Sequence, residues 1–233
     1  MNKKKVIVIT GTRKGIGKYL AEYYSDRGFQ VIGCSRETFE HKLKNYQHFC
    51  LDVCDENKVK QLFTEIRRTY KRVDVLINNA GIASMNHFLL TPLKTVESIL
   101  NTNIVGTFLF CREASKLMKV NKYGRIINFT TVAVPLKLEG ESIYAASKAA
   151  VISLTEILAK ELADFGITVN AIGPTPTKTD LIRTIPQEKI KNLINKQAIR
   201  RFTEFKDISN VIDFFIQPES NFVTGQTIFL GGI

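Results

Sequence analysis

A chain of 233 residues, 44% hydrophobic and 24% charged, is long enough to bury one sizeable core, and its composition shows no break that would divide it into parts. The formal net charge is +11, but Lys and Arg are scattered among acids and Trp is absent, so no basic stripe interleaved with aromatics argues for a nucleic-acid module. The surplus suits anionic substrates or an acidic carrier protein instead.

The start from Met1 to Lys5 followed by apolar residues has too short an apolar run for a signal peptide, and no window approaches the length and hydropathy of a membrane span. Cys34, Cys50, Cys54 and Cys111 lack paired Cys-x-x-Cys spacing and nearby histidines, which argues against a metal site; they are expected to be buried free thiols in a reducing cytoplasm. The spacing of His41, His48 and His87 assigns them no chemistry.

In chain order, the apolar run Val6 to Ile9 reads as a strand. It leads through Thr10-Gly11-Thr12-Arg13-Lys14-Gly15-Ile16-Gly17 into Lys18 to Tyr24, whose apolar positions recur at helical spacing. Glycines in a strand-to-helix turn give the chain backbone angles closed to other residues, close approach to a phosphate and tight helix–strand packing, while the helix start offers free N–H groups to an anion. This stretch is therefore expected to hold a nucleotide phosphate.

Val31 to Cys34 reads as a second strand ending in Ser35-Arg36-Glu37, and residues 49–51 as a third ending in Asp52-Val53. Asp55 caps a helix from Glu56 to Tyr70, and Val73 to Ile77 forms a fourth strand ending in Asn78-Asn79-Ala80-Gly81. Helices follow over Pro92 to Leu100 and Ile104 to Lys119; the run from Ile104 to Phe110 is so apolar that burial is expected. Arg125 to Phe129 is a fifth strand, Ser142 to Phe165 a long helix, Ile167 to Ile172 a sixth strand and Thr227 to Leu230 a seventh. Strands alternating with helices define a doubly wound parallel α/β sheet, a Rossmann fold of about seven strands with helices on both faces, in a single domain over 1–233. The proline- and lysine-rich segment 174–201 is expected to be a lid over the site.

Tyr144 and Lys148 lie four positions apart on the long helix, so both project from one face. A cation beside a phenol stabilises the phenolate and brings its pKa, ordinarily near ~10, toward neutrality, which suits proton transfer to a carbonyl oxygen.

The glycine turn, Asn78 to Gly81, Asn103, the strand before Thr131, and Tyr144 to Lys148 resemble, in order and spacing, the short-chain dehydrogenases/reductases, and the 3-oxoacyl-carrier-protein reductases among them in particular. Val169 to Pro174, Thr179, Thr224-Gly225-Gln226 and Gly231-Gly232 extend the resemblance over nearly the whole chain. It implies that Tyr144 is the general acid, Lys148 its pKa-lowering partner, Asn103 the support of a proton relay and Thr131 the carbonyl-binding hydroxyl. It further implies a cofactor cleft lined by Gly11, Arg13, Lys14, Gly15, Ile16 and Gly17 at the phosphates, and by Asp52 and Val53 at the adenine. Asn79, Ala80 and Gly81 continue that lining, with Pro174, Thr177 and Thr179 near the nicotinamide beside Tyr144 and Lys148. Asn78 is expected to tie strands together.

Two positions depart from the family pattern. Thr131 replaces a serine, adding a methyl that restricts rotamers, and Thr175 stands after Pro174 where glycine is usual. Thr130 is less suited than Thr131 by register.

At the end of the second strand, where an acid would hold the ribose hydroxyls of NAD, the chain has Ser35 and Arg36, with Lys14 and Arg13 as further cations; this favours NADP(H), although Glu37 places a carboxylate nearby. With the family resemblance, the sequence implies a cytoplasmic enzyme that reduces a ketone with NADPH, and the resemblance further implies a homodimer or homotetramer. Its substrate is a small-molecule carbonyl, in one version carried on an acidic acyl carrier protein met by Lys189, Lys191, Lys196, Arg200 and Arg201. A sugar or polyol dehydrogenase is the alternative within the family, and a non-catalytic NADP-binding regulator the alternative outside enzymes.

Overall fold

The computed structural model describes residues 4–40, 42–180 and 186–233. Among the described residues, seven strands form one sheet in the order β3-β2-β1-β4-β5-β6-β7, and every neighbouring pair is parallel. They are β1 (Val6–Thr10), β2 (Gln30–Ser35), β3 (Tyr46–Cys50), β4 (Val75–Asn78), β5 (Gly124–Phe129), β6 (Ile167–Gly173) and β7 (Thr227–Phe229). Parallel strands require crossovers, and helices supply them.

The strands alternate their side chains between two cores. Val6 and Val8 face one with Ile126 and Val169, against α2 (Glu56–Thr69) and α4 (Gly106–Asn121). Ile7 and Ile9 face the other with Ile127 and Ile172, against α1 (Gly15–Asp26) and a helix over Phe205–Ile216. Strand order reverses between β1 and β4, which opens a crevice at their carboxyl ends.

The helix over Phe205–Ile216 has no counterpart in the sequence reading, although its signal is plain. Ile208, Ile212, Phe215 and Ile216 recur at helical spacing, and Glu204 and Asp207 form a reciprocal capping box at its start. The third strand begins at Tyr46, ahead of the apolar residues expected to mark it, because this edge strand is only half-buried and tolerates Tyr46, Gln47 and His48. After the short α5 (Ala133–Leu136), the long helix α6 (Ser142–Glu161) ends at Glu161, and a separate 3₁₀ turn, Ala163–Phe165, closes on Gly166 with φ of 71°.

α3 (Leu93–Leu100) runs into α4 through a π-helical turn, Asn101–Val105. That turn corrects the expectation that Ile104 to Phe110 is buried. Phe110 is fully buried, but Val105 and Phe108 are 39% and 43% exposed, because the helix faces the sheet on one side only.

Two further expectations change. Cys34 and Cys111 are buried free thiols, but Cys50 is exposed at the end of the edge strand and Cys54 is half-buried with its Sγ 3.0 Å from Asp52 Oδ1. Among the described residues α6 does reach the length and apolarity of a membrane span, with a mean hydropathy of 1.2. It packs on β5 and β6 and buries Lys148 against them, so core packing accounts for its apolar character.

The segment 174–201 holds α7 (Gln187–Asn195), with residues 181–185 outside those described. Lys3 and His41 also lie outside them.

Candidate active site

A cavity of about 930 Å³ opens at the carboxyl edge of the sheet, where β1 and β4 part. Its floor is the glycine turn. Gly11 and Gly15 adopt φ of 72° and 59°, and Gly17 packs so closely under Gly11 that an added Cβ would overlap the Gly11 carbonyl oxygen. Asn79 Nδ2 donates to Thr10 O at 2.9 Å, and Ala80 N donates to Thr10 Oγ1 at 2.9 Å, so the end of β4 braces the turn. No side chain caps α1 at Lys14, which leaves its first N–H groups to face the cavity. That uncapped, side-chain-free cradle fits a cofactor pyrophosphate.

Of the sequence-derived site residues, Gly11, Arg13, Lys14, Gly15 and Ile16 line the phosphate end, and Ser35, Arg36, Asp52 and Val53 the far side. Asn79, Ala80 and Gly81 form the middle, with Thr131, Tyr144, Lys148, Pro174, Thr177 and Thr179 opposite. Gly17 and Asn103 stand behind this wall. Asn78 joins β4 to β5 through a 2.9 Å bond from its Nδ2 to Asn128 Oδ1.

Lys148 is 4% exposed and donates to the Phe129 carbonyl at 2.8 Å; burial pulls its pKa down to about 8. Burial likewise pushes the Tyr144 phenol up to about 12, while the neighbouring Thr131 hydroxyl pulls it down and the Glu141 charge pushes it further up. Thr131 Oγ1 also accepts from Ala133 N at 3.3 Å, fixing its rotamer. Thr130 also borders the cavity, but it is buried and its hydroxyl donates to the Lys148 carbonyl at 3.2 Å.

Asn103 sits in the π-helical turn, fully buried. Its Oδ1 accepts from Ile82 N at 2.9 Å and its Nδ2 donates to Ile82 O at 3.0 Å and to Ser147 Oγ at 3.0 Å, so it clamps the loop after β4 onto α6. Gly81 is squeezed between them: a Cβ there would lie 3.2 Å from Lys148 Nζ and 3.3 Å from Asn103 Oδ1. Thr175 is buried with its hydroxyl 2.5 Å from that of Thr203, and its φ is not positive, so threonine stands here without backbone strain.

Two of the three cations at the cofactor end are paired. Arg13 pairs with Glu37, and Lys14 Nζ lies 2.8 Å from Asp180. Arg36 is exposed and has no hydrogen-bond or ion-pair partner among the described residues. Sequence reasoning missed the residues that shape this end: Thr12, Tyr46 and His48 form a hydrogen-bonded chain beside Ser35. It missed Glu141 as well, whose carboxyl lines the cavity near Tyr144 with its pKa raised by burial and lowered by Lys189.

A dinucleotide crevice with a half-buried phenol and hydroxyl beside a buried ammonium at one end defines the class: a nucleotide-dependent oxidoreductase. A family model described as Enoyl-(Acyl carrier protein) reductase matches residues 11–232. A 3-oxoacyl-(acyl-carrier-protein) reductase of Buchnera aphidicola subsp. Schizaphis graminum is 32% identical over 98% of this chain and 96% of its own, and one of Staphylococcus aureus is 31% identical over 100% and 98%. Among solved structures, ElxO with NADP bound superposes with a TM-score of 0.89 at 30% identity over 97% of both chains. A 4-hydroxyisoleucine dehydrogenase complexed with NADH gives 0.88 at 27% over 98% of both. The chain belongs to the short-chain dehydrogenase/reductase family.

Proposed function

We propose that this oxidoreductase reduces a ketone to an alcohol with NADPH, and that its substrates include 3-oxoacyl groups presented by an acidic acyl carrier protein. The observation that carries the reading is the convergence of Thr131, Tyr144 and Lys148 on one cavity with the uncapped start of α1. NADP-bound ElxO and the 3-oxoacyl reductases named above support it. Arg36 beside Ser35, with no acid at the end of β2, favours a 2′-phosphate.

In this reading the bound nicotinamide supplies the hydride. Thr131 donates a hydrogen bond to the carbonyl oxygen and orients it. Tyr144, protonated at neutral pH because burial holds its pKa high, gives its proton to that oxygen as negative charge develops. Lys148 supplies the positive charge that stabilises the phenolate left behind, and Asn103 keeps the loop carrying Gly81 and Ile82 against α6 so that Lys148 stays in place.

Lys189 and Lys196 on and after α7 line the cavity mouth, with Lys191 and Arg200 nearby, and form the surface offered to an acidic carrier. Arg201 is taken out of that set by its paired bonds to Asp207 at 2.6 and 2.9 Å. The exposed apolar residues of α3, α4 and α6 support a homodimer or homotetramer, and the enzyme is placed in the cytoplasm with its carrier. The segment 174–201 acts as the lid of one catalytic domain.

NADPH oxidation assayed against a panel of 3-oxoacyl thioesters, sugars and small ketones tests the proposal. Turnover of thioesters supports it, and turnover of sugars alone would shift it to the polyol dehydrogenases. Tight NADPH binding with no turnover of any ketone would make the protein a cofactor-binding regulator. Tyr144→Phe is expected to keep NADPH binding and lose nearly all turnover.

A further inference from the structure

β2 carries glycine at position 33, and a Cβ there would overlap the Tyr46 phenol oxygen and lie 2.6 Å from Thr12 Oγ1. The missing side chain lets Tyr46 reach across β2 from the edge strand. Its phenol lies 2.7 Å from Thr12 Oγ1 in the glycine turn and 2.7 Å from His48 Nδ1. The other ring nitrogen, His48 Nε2, lies 3.0 Å from the Glu37 carbonyl and 3.1 Å from Ser35 Oγ, which itself donates to that carbonyl at 2.6 Å. One histidine thus braces the turn at the end of β2 and, through a tyrosine, the turn after β1.

We propose that His48 is a positioning residue for the adenosine end of the cofactor, holding the Ser35–Glu37 turn in register with the glycine turn, and that its protonation strengthens binding of a cofactor bearing a 2′-phosphate. The proposal rests on the NADP(H) reading above.

Hydrogen-bond bookkeeping fixes both states. The Glu37 carbonyl only accepts, so neutral His48 carries its proton on Nε2. Nδ1 then accepts from the Tyr46 phenol, whose oxygen accepts from Thr12. Protonation adds a donor at Nδ1, so Tyr46 turns its proton to Thr12 Oγ1, and the Thr12 hydroxyl turns to the Cys34 carbonyl at 3.4 Å. The chain reverses without leaving a donor unpaired, and a positive charge appears beside Ser35.

Charged and titratable groups lie on each of the elements around His48. Arg13 and Lys14 come from the glycine turn, Arg36 and Glu37 from the turn after β2, and Cys34 from β2 itself. Asp52 follows β3, and Tyr46 and Cys50 share the strand with His48. Phe39 stacks near the ring at 5.9 Å. The Glu37 carboxylate is engaged by Arg13, and burial holds the Cys34 thiol neutral with a pKa near 12, so neither cancels the imidazolium. Burial lowers the His48 pKa while its bond to Glu37 opposes that shift, so the charge appears as the pH falls below the ordinary histidine range.

Kd values for NADPH and NADH, measured by nicotinamide fluorescence from pH 5.5 to 8.5 in wild type and His48→Gln, test the inference. The ratio of the two proteins' NADPH affinities cancels the ionisation of the 2′-phosphate itself. Wild type is expected to gain about three- to tenfold over His48→Gln in NADPH affinity at the acid end and nothing in NADH affinity, the range for one partly solvated charge nearby. A ratio that is flat with pH would overturn the inference. Should His48→Gln fail to fold, the wild-type His48 imidazole titrated by NMR, with His41 and His87 replaced for assignment, gives the same answer. Linkage demands that NADPH raise its pKa and that NADH leave it unchanged, and an unmoved pKa overturns the proposal. Equal NADPH and NADH affinities at every pH would remove the cofactor reading as well; NADPH preference with a flat ratio removes this inference alone.

Discussion

The Thr131 hydroxyl, on the turn after β5, and the Tyr144 phenol, in the first turn of α6, line the same cavity, and the hydroxyl opposes the rise that burial gives the phenol's pKa. A donor that serves the developing oxyanion strengthens in the transition state, and removing one costs roughly 10²-fold or more in kcat. Thr131→Ala is therefore expected to lose about that much, whereas Thr131→Ser, which keeps the hydroxyl, is expected to stay active. Comparing the variants at equal cofactor saturation checks this, and an active Thr131→Ala enzyme removes Thr131 from the chemistry.

Lys148 is an electrostatic cost to the folded chain. Its folded-state pKa of about 8 lies below the ordinary 10.5, so between those values the unfolded chain holds more protons and stability rises with pH. Below pH 8 the full penalty applies. Lys148→Met removes the penalty and also loses the bond to Phe129, worth about 1 kcal/mol. The variant is expected to be more stable than wild type at pH 7 by on the order of 1–2 kcal/mol, while losing turnover. Urea denaturation at pH 7 and pH 10 tests it: the gap must shrink at the higher pH, and a variant less stable than wild type at pH 7 contradicts the assignment.

The sheet and its central site were legible because their signals are local. The apolar strands and the glycine turn announce themselves within a few residues, and helical spacing puts Tyr144 and Lys148 on one face, while the role expected of the pair came from the family resemblance. The adenosine end was less legible, since Thr12, Tyr46 and His48 meet only through parallel pairing of β2 with β3 across Gly33. Periodicity carries no trace of that pairing. The run from Ile104 to Phe110 misled for a related reason: apolar content does not say which side of a helix the chain itself covers. Phe205 to Ile216 had both periodicity and a capping box and was readable.

Glu37 occupies Arg13, a cation that a 2′-phosphate would otherwise meet. Neutralising the acid frees that cation, so Glu37→Gln is expected to tighten NADPH a few-fold and leave NADH little changed. Arg36→Ala is expected to lose most of a NADPH preference of about tenfold, equivalent to about 1.4 kcal/mol. Fluorescence titration of both cofactors decides it, and a preference for NADH in wild type would overturn the selectivity argument.

Gly17 bears on cofactor binding through backbone packing. A methyl at this position overlaps the Gly11 carbonyl oxygen, which is backbone, and presses on Asn79 Nδ2, which is held by its bond to the Thr10 carbonyl. Gly17→Ala is expected to cost about 1–3 kcal/mol of stability and to weaken both cofactors, since the whole turn must shift. Thermal melting with and without cofactor measures both effects; a variant that melts and binds like wild type contradicts the packing.

Phe108 tests the proposed assembly. It is 43% exposed on α4, with Arg112 over its ring at 5.5 Å, and Val105 and Leu100 extend the same exposed apolar stretch while Ile157 adds an exposed position on α6. Such residues on helices that pack together beside the sheet leave an apolar surface that a second copy can cover. A carboxylate buried at the centre of that interface would be unpaired, and breaking an interface in this way costs several kcal/mol. Phe108→Glu is expected to convert a dimer or tetramer to smaller species at micromolar concentration, with the fold retained because the side chain is half-exposed in the single chain. Sedimentation of wild type and variant, with circular dichroism as the control for folding, reads the outcome. A monomeric wild type, or a variant of unchanged mass, would show that this face is not the contact between copies.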